Sequence, residues 1–238
     1  MRLQKLLSYV RRAVDDYNMI NDNDKIAVGV SGGKDSLALL MALKALQRFY
    51  PKKFEIEAVS VSLGFKDMDF SPIQKLCDNI DVKYTLIETD IGEIIFNARK
   101  EKNPCSLCSK MRKGALNDAV EGFGFNKVAL GHNRDDVIET FFMSMFYEGR
   151  IYTFSPVTFL DRKKIYSIRP LMYVPEKELI GFARKEELPV VKNKCPADGE
   201  TKRENIKNFV REQSLNYDHF EEKIFGAIKR FGVGNWKG

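Results

Sequence analysis

Three short stretches of this chain carry residues able to do chemistry. Ser31-Gly-Gly-Lys-Asp-Ser36 packs two glycines, a lysine, an aspartate and two hydroxyls into one turn. Glycine has no Cβ, so the backbone at Gly32 and Gly33 can take unusual φ/ψ and approach a ligand closely. Free N–H groups at the start of a helix, with Lys34 beside them, favour an anion such as phosphate. Gly131-His-Asn-Arg-Asp-Asp136 sets two adjacent carboxylates near a histidine, a grouping suited to a divalent cation carried by a triphosphate. The same aspartates would also cap a helix. Pro104-Cys-Ser-Leu-Cys108 is a C-x-x-C, which serves as a redox pair, as half of a zinc site or within an iron–sulfur site. Cys195, in Asn193-Lys-Cys-Pro-Ala-Asp-Gly199, offers a third thiol.

Three cysteine ligands leave one metal position open, as working sites do and structural zinc sites do not. An open iron of a [4Fe–4S] cluster carrying an exogenous sulfide would suit a reaction that moves sulfur. The fourth cysteine, Cys77, stands beside Leu76 on an expected helix and reads as a buried small hydrophobe.

Elements must hold these stretches in place. Lys25-Ile-Ala-Val-Gly-Val30 is a short β-branched run, read as a strand buried on both faces. Leu37, Leu39, Leu40, Met41, Leu43 and Leu46 follow at helical spacing, so SGGKDS is a turn from strand to helix. Further strands are expected at 54–63, 82–87, 127–130 and 165–169, and helices at 71–80, 106–121, 135–147, 175–185 and 205–213. Residues 1–20 read as an amphipathic helix with Leu3, Leu6, Leu7, Val10, Val14 and Tyr17 on one face. Strands alternating with helices imply an α/β fold, a parallel sheet with helices on both faces. Ligands then gather at the carboxyl ends of the strands, where SGGKDS and GHNRDD both fall. The organisation expected is an N-terminal helix over 1–20, one domain over 21–215 and a C-terminal tail over 216–238.

With 238 residues, 44% hydrophobic and 30% charged, the chain reads as soluble and globular. No apolar run reaches bilayer length and no signal peptide opens the chain. With four cysteines in a chain of this length, a reduced, cytoplasmic setting is expected. The net charge of +6 and pI of about 9.0 favour a polyanionic partner. Arg112 and Lys113, Arg162-Lys-Lys164, and Lys202-Arg203 are candidate phosphate contacts or solvated surface charges. Phe141, Phe142, Met143, Met145 and Phe146 read as core.

SGGKDS fits neither the Walker A spacing nor G-x-G-x-x-G. It resembles the pyrophosphate loop of the PP-loop ATPases, the N-type ATP pyrophosphatases. In that family the loop holds the β- and γ-phosphates and leaves the α-phosphate open to attack, so the product is an adenylate. GHNRDDVIET resembles the second characteristic stretch of the same enzymes. The order of SGGKDS, PCSLCSKMRKG, ALGHNRDD, ETFFMSMFYEG, IRPLMYVPEKEL and the later single cysteine is similar to the TtcA family of tRNA 2-thiocytidine synthetases, over roughly residues 1–215.

That resemblance implies an adenine nucleotide alpha hydrolase-like fold, ATP, Mg²⁺ and a [4Fe–4S] cluster in preference to zinc. It implies thiolation of a cytidine at position 32 of the tRNA anticodon loop. Residue by residue, Ser31, Gly32, Gly33, Lys34, Asp35 and Ser36 would form the pyrophosphate loop, and Cys105, Cys108 and Cys195 would hold the cluster. Gly131, His132, Asp135 and Asp136 would sit near phosphate and metal. Lys34, Asp35, Asp135 and the three cysteines would carry the chemistry. Implied partners are tRNA, a sulfur donor such as a cysteine desulfurase or free sulfide, and a second copy of the chain. The zinc-finger pairs of the related 2-thiouridine enzymes are absent, which argues against that branch. The last cysteine lies in KCPADG and not in a second C-x-x-C-like context, which leaves the target base open. Other readings are thiolation of a different base or a small molecule, lysidine-type ligation, or a non-catalytic zinc-containing nucleotide sensor.

Overall fold

Strand β1 (Asp24–Gly29) sets the architecture. Ile26 and Val28 point into one core and Ala27 into another, and all three are fully buried. A strand buried on both faces needs cover on both. In a computed structural model, which describes residues 1–65, 68–98, 104–191 and 202–236, β1 lies in a six-stranded sheet. The others are β2 (Phe54–Val61), β3 (Tyr84–Ile87), β4 (Lys127–Ala129), β5 (Val157–Leu160) and β6 (Ile165–Ile168). Their spatial order is β3-β2-β1-β4-β6-β5. All neighbours run parallel except β5, which pairs antiparallel with β6.

One face carries α1 (Leu3–Asp16), α2 (Lys34–Leu46) and α3 (Ser71–Asn79) in a single core with Ile26, Val28 and Ala58. After α3 come a short turn α4 (Ile91–Glu93), running on into a π-helical turn, and α5 (Pro104–Gly122). Helix α5 covers the opposite face, where Leu116 and Val120 meet Ala27, Val59, Val128 and Ile165. Then follow α6 (Arg134–Glu148), α7 (Glu176–Lys185), α8 (Lys202–Asn216) and α9 (Phe220–Arg230). Leu179 and Phe182 of α7 and Ile228 of α9 join the first core, while α6 and α8 meet through Ile138, Phe142, Ile206 and Val210. The parallel sheet with helices on both faces is as the sequence implies.

Several boundaries differ. The first helix stops at Asp16, not at residue 20. Asn18 takes φ 47°, a left-handed value that breaks the helix, and Met19 and Ile20 are buried outside it. Helix α3 begins with Ser71 as its first helical residue, so Ser71 is not the cap. Residues 216–238, expected as a tail, contain α9 and Trp236, which is 3% exposed and stacked edge-on against Tyr17 and Phe225. The Trp236 indole N–H donates to the carbonyl of Phe154 at 3.0 Å, tying this segment to the loop before β5. Cys77 sits in the core, and burial pushes its thiol up to about 11. Phe142 is core as expected, but Met145 and Phe146 are 36% and 51% exposed at the end of α6. Among the described residues no helix is long and apolar enough to cross a membrane.

Candidate active site

From β1 the chain crosses to β2, and β4 lies on the other side of β1 with β6 beyond it. The order therefore reverses between β1 and β4, and a crevice opens at their carboxyl ends. Ser31–Ser36 leaves β1 into that crevice. Gly32 takes φ +83°, and a Cβ there would lie 3.0 Å from Cβ of Val191, whose N–H donates to the Gly32 carbonyl at 3.0 Å. Glycine is needed for both reasons. Ser36, 5% exposed, fixes the turn. Its hydroxyl donates to the Gly33 carbonyl at 2.9 Å, accepts from the Ser31 N–H at 3.1 Å and lies 3.2 Å from the Ser31 hydroxyl. Gly131, at the end of β4, presses on the same turn: a Cβ would stand 3.0 Å from the Ser36 nitrogen. The two expected stretches are thus packed backbone against backbone.

Beyond Gly131, α6 opens with a capping box. Asn133 Oδ1 accepts from the Asp136 N–H at 3.1 Å, and Asp136 Oδ2 accepts from the Asn133 N–H at 2.9 Å. Asp136 therefore works as a cap, and its other oxygen accepts from Arg203 at 2.8 Å. Asp135 is placed differently. Its Oδ2 accepts from the Glu176 N–H at 2.8 Å, which fixes the start of α7 against α6.

A pocket of about 160 Å³ lies here, lined by Asp35, Asp135, Asp136, Glu139 and Glu176 together with Arg203 and Lys207. Lys34 Nζ reaches Glu176 at 2.8 Å and Asp35 at 3.2 Å, and Lys207 holds the other oxygen of Glu176 at 2.7 Å. Burial opposes charge on Lys34, yet these carboxylates hold its pKa above the ordinary lysine value. Burial also opposes ionisation of Glu176, but Lys207 and Lys34 hold it below the usual carboxylate range. Burial raises Asp35, pushes Asp135 up to about 6 and pushes Glu139 up to about 7. Asp35 Oδ1 is buried without a hydrogen-bond partner among the described residues. Crowded, protonation-prone carboxylates with an orphaned oxygen are what a divalent cation would relieve. Among the described residues no three His, Cys, Asp or Glu groups converge to hold a metal unaided. Asp35 and Asp135 are the carboxylates that could contribute to a Mg²⁺ shell, which takes one or two carboxylates and is completed by phosphate oxygens and water.

A larger cavity, about 560 Å³, opens beside it. Its walls include Ser31 of the loop, Cys105 and Cys108, Arg112, Lys113, His132 and Arg169. The helix expected from residue 106 begins at Pro104, so both cysteines lie in the first two turns of α5, three residues apart on one side. Cys105 is exposed and Cys108 half-buried. Arg112 and Lys113 line the cavity with them. Burial and Arg169 both lower the Lys113 pKa, a sign of crowded positive charge. The donor chemistry therefore fits two thiolate ligands of a cluster; Cys195 lies outside the described residues. His132 is held neutral, its pKa pushed down to about 4 by burial and by Arg169, and its Nδ1 is buried with no hydrogen-bond partner among the described residues.

The structure thus gathers the loop, the β4 stretch and the C-x-x-C at one end of the sheet. Glu139, Glu176, Lys207, Phe154 and Arg169 join them and were not expected there. Glu139 stands four residues after Asp135 and three after Asp136 on α6, a spacing that puts it on their side of the helix. The other basic pairs part company. Arg112 and Lys113 line the cavity, Arg203 enters the small pocket, and Lys163 lies on the β5–β6 turn, 2.8 Å from both Asp118 and Glu121.

A family model described as a PP-loop domain matches residues 4–214. The tRNA-cytidine(32) 2-sulfurtransferase of Teredinibacter turnerae is 38% identical over 232 residues, covering 96% of this chain and 77% of that protein. The protein of the same name from Dichelobacter nodosus is 38% identical over 229 residues, covering 95% and 86%. Among solved structures, the U34-tRNA thiolase NcsA from Methanococcus maripaludis with its [4Fe–4S] cluster superposes with a TM-score of 0.79 at 23% identity. It covers 96% of this chain and 78% of that one, a likeness of fold.

Proposed function

This chain belongs to the PP-loop family and, within it, to the tRNA-cytidine(32) 2-sulfurtransferases, and on that premise we propose that it uses ATP to replace the C2 oxygen of a tRNA cytidine by sulfur. The observation that carries the proposal is the shared cavity: the phosphate-loop residue Ser31 and the pair Cys105/Cys108 line one space.

ATP lays its β- and γ-phosphates on the Gly32–Gly33 turn, with Lys34 exchanging Glu176 for phosphate oxygen. Asp35 and Asp135 are the carboxylates suited to Mg²⁺, which adds charge neutralisation when bound. The cytidine O2 attacks the α-phosphorus and pyrophosphate leaves, its charge met by Lys34 and the loop N–H groups. Adenylation converts a poor oxygen leaving group into AMP. Sulfide then adds at C2 and AMP departs with its oxygen. Cys105 and Cys108 of this chain, with Cys195, would hold a [4Fe–4S] cluster, which when bound supplies an open iron position for the incoming sulfur. The apolar walls Val59, Val61, Leu63 and Phe96 suit adenine. The sulfur donor, a cysteine desulfurase or free sulfide, and a homodimeric state belong to the same proposal.

The test is nucleoside mass spectrometry of tRNA from cells lacking the protein, complemented with the wild type or with Cys105→Ala. Wild type restores 2-thiocytidine; Cys105→Ala does not, while the purified variant still releases pyrophosphate with ATP and tRNA. Full 2-thiocytidine from Cys105→Ala would remove the thiol pair from the reaction. Its absence with the wild type would remove the assigned substrate.

A further inference from the structure

The larger cavity has two unlike ends. Towards β2 its walls are Val59, Val61, Leu63 and Phe96; towards β4 and β6 they are His132, Phe154 and Arg169. Arg169 directly follows β6 and is 4% exposed. Its Nη1 donates to the Ser155 carbonyl at 2.6 Å and lies 3.2 Å from the Thr158 hydroxyl. Its Nε is buried with no hydrogen-bond partner, and among the described residues no carboxylate pairs with it. A buried guanidinium with an unused donor is costly unless an acceptor arrives. Phe154 packs against both Arg169 and His132. The guanidinium carbon is 5.0 Å from the centroid of Phe154, and the His132 ring is 4.9 Å from the same centroid. Burial pushes the Arg169 pKa down to about 10, still well above neutrality, so the group remains a cation and a donor only.

We propose that Arg169 reads the target base, donating from its unsatisfied edge to the N3 acceptor of cytosine. The proposal rests on the tRNA-thiolation reading above and deepens it by naming the specificity-determining residue. Cytosine presents lone pairs at both N3 and O2. Uracil presents N3–H, which would set donor against donor, so a guanidinium at this place accepts one pyrimidine and rejects the other. A backbone phosphate would also satisfy an arginine. The buried setting, in the cavity that the thiol pair also lines, favours a splayed-out base, since single-stranded RNA bases are read through hydrogen bonds to their edges. The carbonyl of Phe154 is held by Trp236 at 3.0 Å, so the ring that Arg169 lies over has a fixed mount.

The test uses the full chain, metallated under anaerobic conditions. Three semisynthetic tRNAs differ only in carrying cytidine, uridine or 3-deazacytidine, which lacks the N3 lone pair, at the target position. The readout is kcat/KM for formation of the thiolated nucleoside by the wild type, Arg169→Lys and Arg169→Gln. The wild type is expected to prefer cytidine over both alternatives by roughly tenfold to a hundredfold. Arg169→Lys keeps that preference at a lower rate. Arg169→Gln loses most of it and gains on uridine, because an amide can also accept from N3–H. An equal fall on all three tRNAs in both variants overturns the proposal and leaves Arg169 a loop anchor. A loss confined to KM with a shallower salt dependence overturns it in favour of a phosphate contact. If neither variant folds, the wild type decides: equal rates on cytidine and 3-deazacytidine overturn it. If the wild type thiolates no cytidine at all, the functional reading falls, and this proposal with it.

Discussion

Around Lys34, every cation has a carboxylate close by: Lys34, Arg203 and Lys207 each lie within 2.8 Å of one. Around Cys105, Arg112, Lys113 and Arg169 line the cavity with no carboxylate paired to them among the described residues. Two pockets at one end of the same sheet thus follow opposite plans. The small one is electrostatically closed, and on the proposed function a triphosphate with its cation would enter by exchanging partners already there. The large one has positive charge without its complement, and on the proposed function that charge would meet cluster ligands and RNA. The difference teaches where each substrate spends its charge, and it can be broken pocket by pocket.

The largest effect is expected at the centre of the closed set. Lys34→Met removes the one cation carried on the glycine turn and should lower pyrophosphate release about 10²–10³-fold, the scale of losing a donor aimed at developing charge. Glu176 keeps Lys207 at 2.7 Å, so the fold should hold. A loss below tenfold in a pyrophosphate assay would mean that the triphosphate does not sit in this pocket.

Next comes the protonation of the same set. Glu139 is pushed up to about 7 and Asp135 to about 6, chiefly by burial. In the unfolded chain such groups titrate near pH 4. Between about pH 4 and 7 the folded protein therefore holds more protons than the unfolded chain. Their contribution to stability is present at the acid end of that window and fades as pH rises through the folded values. Glu139→Gln should leave stability at pH 5 nearly unchanged and raise it at pH 8 by about 1–3 kcal/mol, from 1.36 kcal/mol per pKa unit. Urea melts at the two pH values check this. An unchanged slope would show Glu139 ionised throughout beside Arg203.

Much of this was legible locally. The β-branched run before Gly32 and the leucines after Ser36 announce strand, turn and helix within twenty-odd residues, and the turn carries its own chemistry. GHNRDD repeats that arrangement at β4. What escaped is set by distant parts of the chain. Val157–Leu160 is a four-residue strand whose pairing depends on β6. Glu176 follows a proline, so it reads as an ordinary first-turn acid, and only the packing of α7 on α2 brings it to Lys34. Arg169 and Phe154 meet because an antiparallel edge folds one beside the other. Arg169 did carry a usable signal, being a charge at the carboxyl end of a strand, where ligands collect. The placement of Cys195 stays with the sequence.

A smaller effect tests the seam between the two stretches. Gly131→Ala puts a methyl 3.0 Å from the Ser36 nitrogen and 3.2 Å from the Asp35 carbonyl carbon, both backbone atoms that must move. Displacing the first turn of α2 by a few tenths of an ångström should cost about tenfold in kcat/KM for ATP, through misaligned phosphates. Thiol reactivity of Cys105, on the other face of the sheet, should not change. A matching change there would mean that the pockets are not independent.

The smallest effect separates useful from idle positive charge. Lys163 belongs to the basic run 162–164, but its ammonium is shared by Asp118 and Glu121 at 2.8 Å each, far from both pockets along β6. An exposed lysine already matched by carboxylates has little to offer a phosphate. Lys163→Ala should leave kcat/KM for tRNA within about twofold and the salt dependence unchanged. Lys113 has no such partner among the described residues and is held below the ordinary lysine pKa by burial and by Arg169, so Lys113→Ala should flatten the log–log salt slope by about one. If the two substitutions prove equal, net charge alone draws the RNA and the unmatched cavity has no special part in it.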